Sequence, residues 1–193
     1  MSRKGLVRII AGCLAVVMTA ATVVAAPSPT KNGAVSQDFT INGEKADPDK
    51  YKAQFNESLD DLGLDKEVLD LIKDINKDPD KLAGILTDSK TLVAEDDDID
   101  VTKLELLTQI QDLSITDAAT GEAVKDLKDV TLTWEVTNLK EGIGEIRVLH
   151  YSTVRNVWEI LKPEKVDYKE KAVTQNFEDL SPVAVLYLPA DAK

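Results

Sequence analysis

Val130-Thr131-Leu132-Thr133-Trp134-Glu135-Val136-Thr137 alternates apolar and polar side chains without a break. Successive side chains of a strand point to opposite faces, so this register gathers Val130, Leu132, Trp134 and Val136 on one face and sends the threonines and Glu135 to the other. The stretch predicts a half-buried strand with Trp134 in the core. Outward from it, further strands are predicted at 113–116, 145–151, 157–161, 172–177 and 183–188. Turn signals separate them: Asp117 to Gly121, Gly142 to Gly144, Arg155-Asn156, Asp167 to Lys171, and Ser181-Pro182. Short strands at this spacing, with no helices between, predict an antiparallel β-sandwich domain over residues 104–189.

Toward the N-terminus the pattern changes. Asp47-Pro48-Asp49-Lys50 recurs as Asp78-Pro79-Asp80-Lys81. Each copy reads as an Asp N-cap with Pro at the first helical position, where a missing N–H costs nothing. After the first copy, Tyr51, Phe55, Leu59 and Leu62 fall on one helical face, and Gly63 is placed to end that helix. Asp65 opens a second helix with the stripe Val68, Leu71, Ile72 and Ile75, and a third, short one holds Leu82, Ile85 and Leu86. The fold class predicted is therefore α+β: a small helical region at 47–90, an acidic connection at 91–103, then the sandwich. Residues 101–112 stay open between a short helix and the start of a strand. Residues 26–46 carry Pro27, Pro29, Gly33 and Gly43 among polar residues and read as a flexible linker, with a short extended piece at Phe39-Thr40-Ile41.

The first 25 residues set a location. Arg3, Lys4 and Arg8 precede an apolar run over residues 9–26 closed by small residues, the order of a secretory signal peptide cut after Ala25. An uncleaved anchor is the rival reading, because the run approaches the roughly 17 residues of the shortest membrane span; the membrane would then be met only through this segment. Ile10-Ala11-Gly12-Cys13 matches a lipobox, but Arg8 leaves almost no apolar core ahead of Cys13, which argues against lipid attachment. The leader holds three of the 23 basic residues and none of the 35 acidic ones, so cleavage takes the formal charge from −12 to −15. A chain of that charge repels nucleic acid phosphates and anionic lipid, and favours basic partners. The only cysteine leaves with the leader, which excludes disulfides and thiolate chemistry from the mature chain.

Three pieces of the C-terminal half carry a family resemblance: Leu149-His150-Tyr151-Ser152, Asn156-Val157-Trp158-Glu159, and the run from Phe177 through Asp179-Leu180-Ser181-Pro182-Val183-Ala184 to Val185. With Ser114-Ile115-Thr116-Asp117 and Val130-Thr131-Leu132-Thr133 they cover about residues 110–188. This half resembles an immunoglobulin-like β-sandwich module of secreted and surface proteins of Gram-positive bacteria. The resemblance implies such a sandwich in an exported or wall-displayed protein, often as a stalk or spacer, and brings no catalytic set. Leu188-Pro189-Ala190-Asp191-Ala192 starts like a sorting signal but lacks its Thr-Gly, so covalent wall attachment is not expected.

Candidate sites are few. His150, the only histidine, has Ser152 two residues on and so on the same strand face, but no third group in view to orient a catalytic pair. Asp96, Asp98 and Asp100 have the alternate spacing that opens a calcium loop, yet Val101 and Leu107 stand where such a loop needs glycine and a bidentate glutamate. Trp158, Tyr151 and Tyr168 are candidates for stacking on a glycan, provided that they are exposed. Acids are too numerous for a hydrolytic carboxylate pair to stand out, and there is no phosphate-binding glycine loop or histidine cluster. No cofactor is expected. The function predicted is a non-enzymatic, secreted or cell-surface structural and interaction protein with an extracellular protein or glycan partner. The alternatives are a carbohydrate-binding module and, last, a hydrolase using acidic residues.

Overall fold

The strand that opens at Val130 has one apolar face, and what covers that face sets the architecture. A computed structural model of the chain describes residues 27–56, 58–87, 92–95 and 99–192, apart from the side chains of Asp61 and Asp191. The leader, Cys13, Asp96 and Asp98 lie outside the described residues. In chain order come β1 (Thr40–Ile41), β2 (Glu44–Lys45), β3 (Tyr51–Asn56), α1 (Lys66–Lys77), α2 (Leu82–Leu86), β4 (Leu92–Ala94), β5 (Glu105–Leu106), β6 (Gln111–Asp117), β7 (Val130–Glu135), β8 (Gly144–Ser152), β9 (Val157–Leu161), β10 (Lys165–Asp167), β11 (Ala172–Phe177) and β12 (Pro182–Pro189).

Among the described residues the protein is mostly β-sheet with two short helices. The smaller sheet has the order β10-β11-β7-β1-β2, the larger β3-β6-β12-β8-β9-β4, with β5 pairing β12 beyond the end of β6. Side chains of both sheets meet in one cluster: Val130, Leu132, Trp134, Val173 and Phe177 from the smaller, Leu113, Ile146, Val148, Val183 and Val185 from the larger. The larger sheet is also covered on its other face. There Leu149, Tyr151, Trp158, Ile160, Ala184, Leu186 and Leu188 pack with Ile72 and Ile75 of α1 and with Leu82, Ile85 and Leu86 of α2. This is why β12 reads as an unbroken apolar run while β7 alternates: one strand is buried on both faces, the other on one. Trp134 is 1% exposed, with the rings of Phe55 and Phe177 at 6.0 and 6.1 Å. Burial of such a ring contributes roughly 2–3 kcal/mol.

The structure departs from three expectations. Tyr51–Asn56, expected to begin a helix, is a strand paired with β6 through Phe55↔Leu113 and Ala53↔Ile115. A spacing of four places Tyr51 and Phe55 on one face in a helix and in a strand alike; buried Ala53, at the intermediate position, satisfies only the period of two. Asp47-Pro48-Asp49-Lys50 is accordingly a turn, closed by Asp47 Oδ1 accepting from Asp49 N and Asp47 O accepting from Tyr51 N. Its second copy does start helical structure, with Pro79 opening a 3-10 turn that runs into α2.

The second correction concerns residues 26–46, expected as a flexible linker. From Pro27 onward they are stitched into the sheets. Thr30 bridges Thr108, Val35 bridges Trp134, Phe39 is buried, and β1 pairs β7 as the extended piece at Phe39-Thr40-Ile41 foreshadows. Asn32 takes the indole N–H of Trp134 on Oδ1 at 3.2 Å and donates its own N–H to Gln111 Oε1 at 2.6 Å. Gly33 is required here: a Cβ would stand 2.8 Å from that of Glu135. Third, the acidic connection at 91–103 contains β4, and β4 runs parallel to β9, so the larger sheet is mixed rather than antiparallel. The helices α1 and α2 of the 47–90 region lie on the larger sheet, where Asn76 of α1 exchanges two 2.8 Å hydrogen bonds with the backbone of Ile110.

Candidate functional site

In β8 the inward positions run Ile146, Val148, His150, Ser152, so the apolar face turns polar at the C-terminal end of the strand. Register places His150 directly across from Glu159 of β9, and cross-strand partners on one face are side-chain neighbours. His150 Nδ1 lies 2.9 Å from Glu159 Oε2, and Nε2 lies 2.7 Å from Ser181 Oγ. All three residues are buried, His150 at 1% exposure and Ser181 at none. The Ser181 hydroxyl donates its hydrogen to Tyr151 O. The tautomer of His150 sets which atom donates in its bonds to Glu159 and to Ser181. Phe177 covers the imidazole with ring centroids 5.3 Å apart.

A cleft of about 420 Å³ opens beside this chain, between the β4–β9 side of the larger sheet and β11 of the smaller. His150, Glu159 and Gln175 lie among its polar lining, and Arg155, Lys162, Glu95, Glu164 and Glu178 contribute the other charges. Arg155, on the β8–β9 turn, pairs with Glu159 Oε1 and reaches Glu178 at 3.7 Å. Glu95, just after β4, accepts from Lys162 N at 2.8 Å and so ties the ends of β4 and β9 together.

Ser152, the residue expected beside His150, is bonded elsewhere. Its hydroxyl donates to Asp179 Oδ1 at 3.0 Å, and Asp179 Oδ2 accepts from Thr153 N at 3.0 Å. The three sequence pieces that carry the family resemblance thus meet in one buried polar network. Leu149-His150-Tyr151-Ser152 brings His150 and Ser152, Asn156-Val157-Trp158-Glu159 brings Glu159, and the run to Leu180-Ser181 brings Asp179 and Ser181. Ser181 and Glu159 were missed as partners of His150, although both lie inside those pieces. Their positions beside a Pro and within an apolar strand were the available signal.

The aromatic candidates do not form a platform. Trp158 and Tyr151 are 3% and 5% exposed and lie against each other, centroids 5.0 Å apart, under α1 and α2. Burial, with the carboxylate of Asp65 acting the same way, raises the Tyr151 phenol above its ordinary pKa. The reason is the second covered face of the larger sheet, which turns outward-pointing positions of β8 and β9 into core. Tyr168 is half-buried and lines a separate cavity of about 480 Å³ with Val166, Lys162 and Arg147. Of the calcium candidates only Asp100 is described. It caps the 3-10 turn Val101–Lys103, accepting from Thr102 N at 3.2 Å and from the Thr102 hydroxyl at 2.6 Å. Those bonds, the hydroxyl first, lower its pKa. Among the described residues no group of three or more His, Cys, Asp or Glu is arranged to hold a metal, and no helix is long and apolar enough to cross a membrane.

Comparison with family models, curated proteins and solved structures finds no match to this chain.

Proposed function

We propose that this is a secreted or cell-surface interaction protein without catalytic activity. Its two sheets form an immunoglobulin-like β-sandwich that presents an acidic surface to a basic extracellular protein. One observation carries the non-catalytic part: the Ser181 hydroxyl is fully buried and donates its hydrogen to a backbone carbonyl. A serine nucleophile needs its hydroxyl to donate to a basic imidazole nitrogen. Here that hydroxyl donates to Tyr151 O, and the side chain is fully buried. Ser181, His150 and Glu159 then act as a pin joining β8, β9 and the start of β12. The acidic balance of the chain supports a basic partner through charge complementarity, which speeds encounter and discriminates among partners. The carbohydrate-binding alternative keeps only Tyr168 of its three aromatics.

Binding to immobilised cationic proteins, anionic proteins and neutral glycans, at about 0.05 and 0.5 M salt, tests the reading. The expected result is binding to cationic proteins that weakens with salt. Binding confined to neutral glycans, or turnover of ester or glycosidic substrates that depends on Ser181, overturns it.

A further inference from the structure

Gln175 projects from β11 on the same face as Val173 and Phe177, toward the larger sheet, and lines the cleft that holds His150 and Glu159. The residue is 5% exposed, and its Oε1, itself almost without accessible surface, has no hydrogen-bond partner among the described residues, although its Nε2 donates to Asn176 O at 2.7 Å. A buried oxygen left without a donor keeps its desolvation penalty, and a donor brought in by a ligand removes it. The charges around it select the donor. Glu95, Glu159, Glu164 and Glu178 line the cleft against Arg155 and Lys162, and Arg155 already pairs with Glu159 and Glu178. The excess of carboxylates favours a cation. Two apolar walls, Val93 at 49% exposure and half-buried Leu161, flank the polar groups.

We propose that this cleft takes the primary ammonium group of a lysine side chain on a basic extracellular protein, with Gln175 Oε1 as the receiving atom once a small turn of the side-chain amide brings it to the cleft. The proposal rests on the interaction-protein reading above and names the contact that reading lacks. A lysine fits for three reasons. Its ammonium is a compact charge with three rotatable donors, enough for Gln175 and for rim carboxylates such as Glu164. Its four-carbon stem is slender and lies well against Val93 and Leu161. A planar guanidinium is broader and harder to bring to an oxygen set this deep. A sugar ring would want an aromatic face, and His150 is the only ring in the lining among the described residues.

His150 is the only histidine, so its imidazole signals in a ring-labelled sample report on the cleft without ambiguity. The test titrates the full mature chain with Nα-acetyl-lysine N-methylamide, with the norleucine counterpart, and with sodium chloride at equal ionic strength. The expected result is a saturable shift of the His150 ring signals with the lysine compound alone. Gln175→Leu should weaken the response about tenfold or more. Glu178→Gln, at a side chain 82% exposed and so without risk to folding, should weaken it about two- to five-fold. Equal shifts with norleucine or salt overturn the proposal, as does an affinity that Gln175→Leu leaves within about twofold in a protein whose spectrum shows it folded. If the lysine compound fails while salt-sensitive binding to cationic proteins persists, the cleft proposal falls and the interaction reading stands. If both fail, both fall.

Discussion

Replacing Ser181 by alanine tests whether the buried chain through His150 is structural. The substitution removes one hydroxyl from a fully buried site and strands two groups: His150 Nε2, now 2.7 Å from that oxygen, and Tyr151 O, which accepts its hydrogen. Leaving a buried polar group without its partner costs about 1–3 kcal/mol. The lost hydroxyl no longer has to be desolvated, which returns part of the sum, so the expected loss is about 2–4 kcal/mol. For a domain of this length each kcal/mol lowers Tm by about 2–4 °C, giving a fall of roughly 5–15 °C. Urea unfolding followed by tryptophan fluorescence measures the loss directly, since Trp134 and Trp158 sit in the two separate clusters. An unchanged m-value would place the effect in stability rather than in the compactness of either state. A Ser181→Ala protein within about 0.5 kcal/mol of the parent would refute the reasoning, because a surface hydroxyl behaves that way.

Asp112 is 4% exposed, and burial raises its pKa against the opposing bond from Asn56 Nδ2 at 2.7 Å. A carboxyl raised in the folded state costs stability as pH rises from the ordinary carboxylate value through the raised one. Asp112→Asn should therefore match or exceed the parent in urea at pH 7, with the difference gone below the ordinary value of 3.8. Trp158→Ala should lower the unfolding free energy by about 3–5 kcal/mol, because the ring is core beneath α1 and α2; unchanged stability by calorimetry would return Trp158 to the surface. Gly144 has φ of 133°, and a Cβ there would stand 1.9 Å from Leu188 O. Gly144→Ala should cost about 3 kcal/mol or more by breaking the β8–β12 pairing, read as lost soluble yield or a depressed Tm.

The strands of the C-terminal half were legible because the hydrophobic period there is unambiguous. Residues 157–161 and 172–177 coincide with β9 and β11; β6, β8 and β12 run one or two residues past each predicted end, β7 stops at Glu135, short of Val136 and Thr137, and the short edge strand β10 was not foreseen. Three things hid the rest. The spacing of Tyr51 and Phe55 fits two periods. The N-terminal segment is held by Asn32 and by backbone bonds to Glu135 and Thr133, which leave no apolar pattern to read. The second covering layer over the larger sheet left its signal in the unbroken apolar run of β12, which by itself does not say that β8 and β9 share the covered face, and it removed Trp158 and Tyr151 from the surface. The site was half legible. His150 stood out as a lone histidine, but Ser152, its sequence neighbour, proved to be bonded to Asp179, while Glu159 and Ser181 come from 9 and 31 residues away.

Ser181 is a buried structural group, and the non-catalytic function depends on that. Exposure of the folded protein to a serine-directed fluorophosphonate, followed by peptide mass spectrometry, tests this most directly. The peptide carrying Ser181 is expected to stay unmodified until the protein is unfolded. A stoichiometric adduct on Ser181 of the native protein, lost in His150→Gln, would contradict it and restore a hydrolytic reading of the cleft.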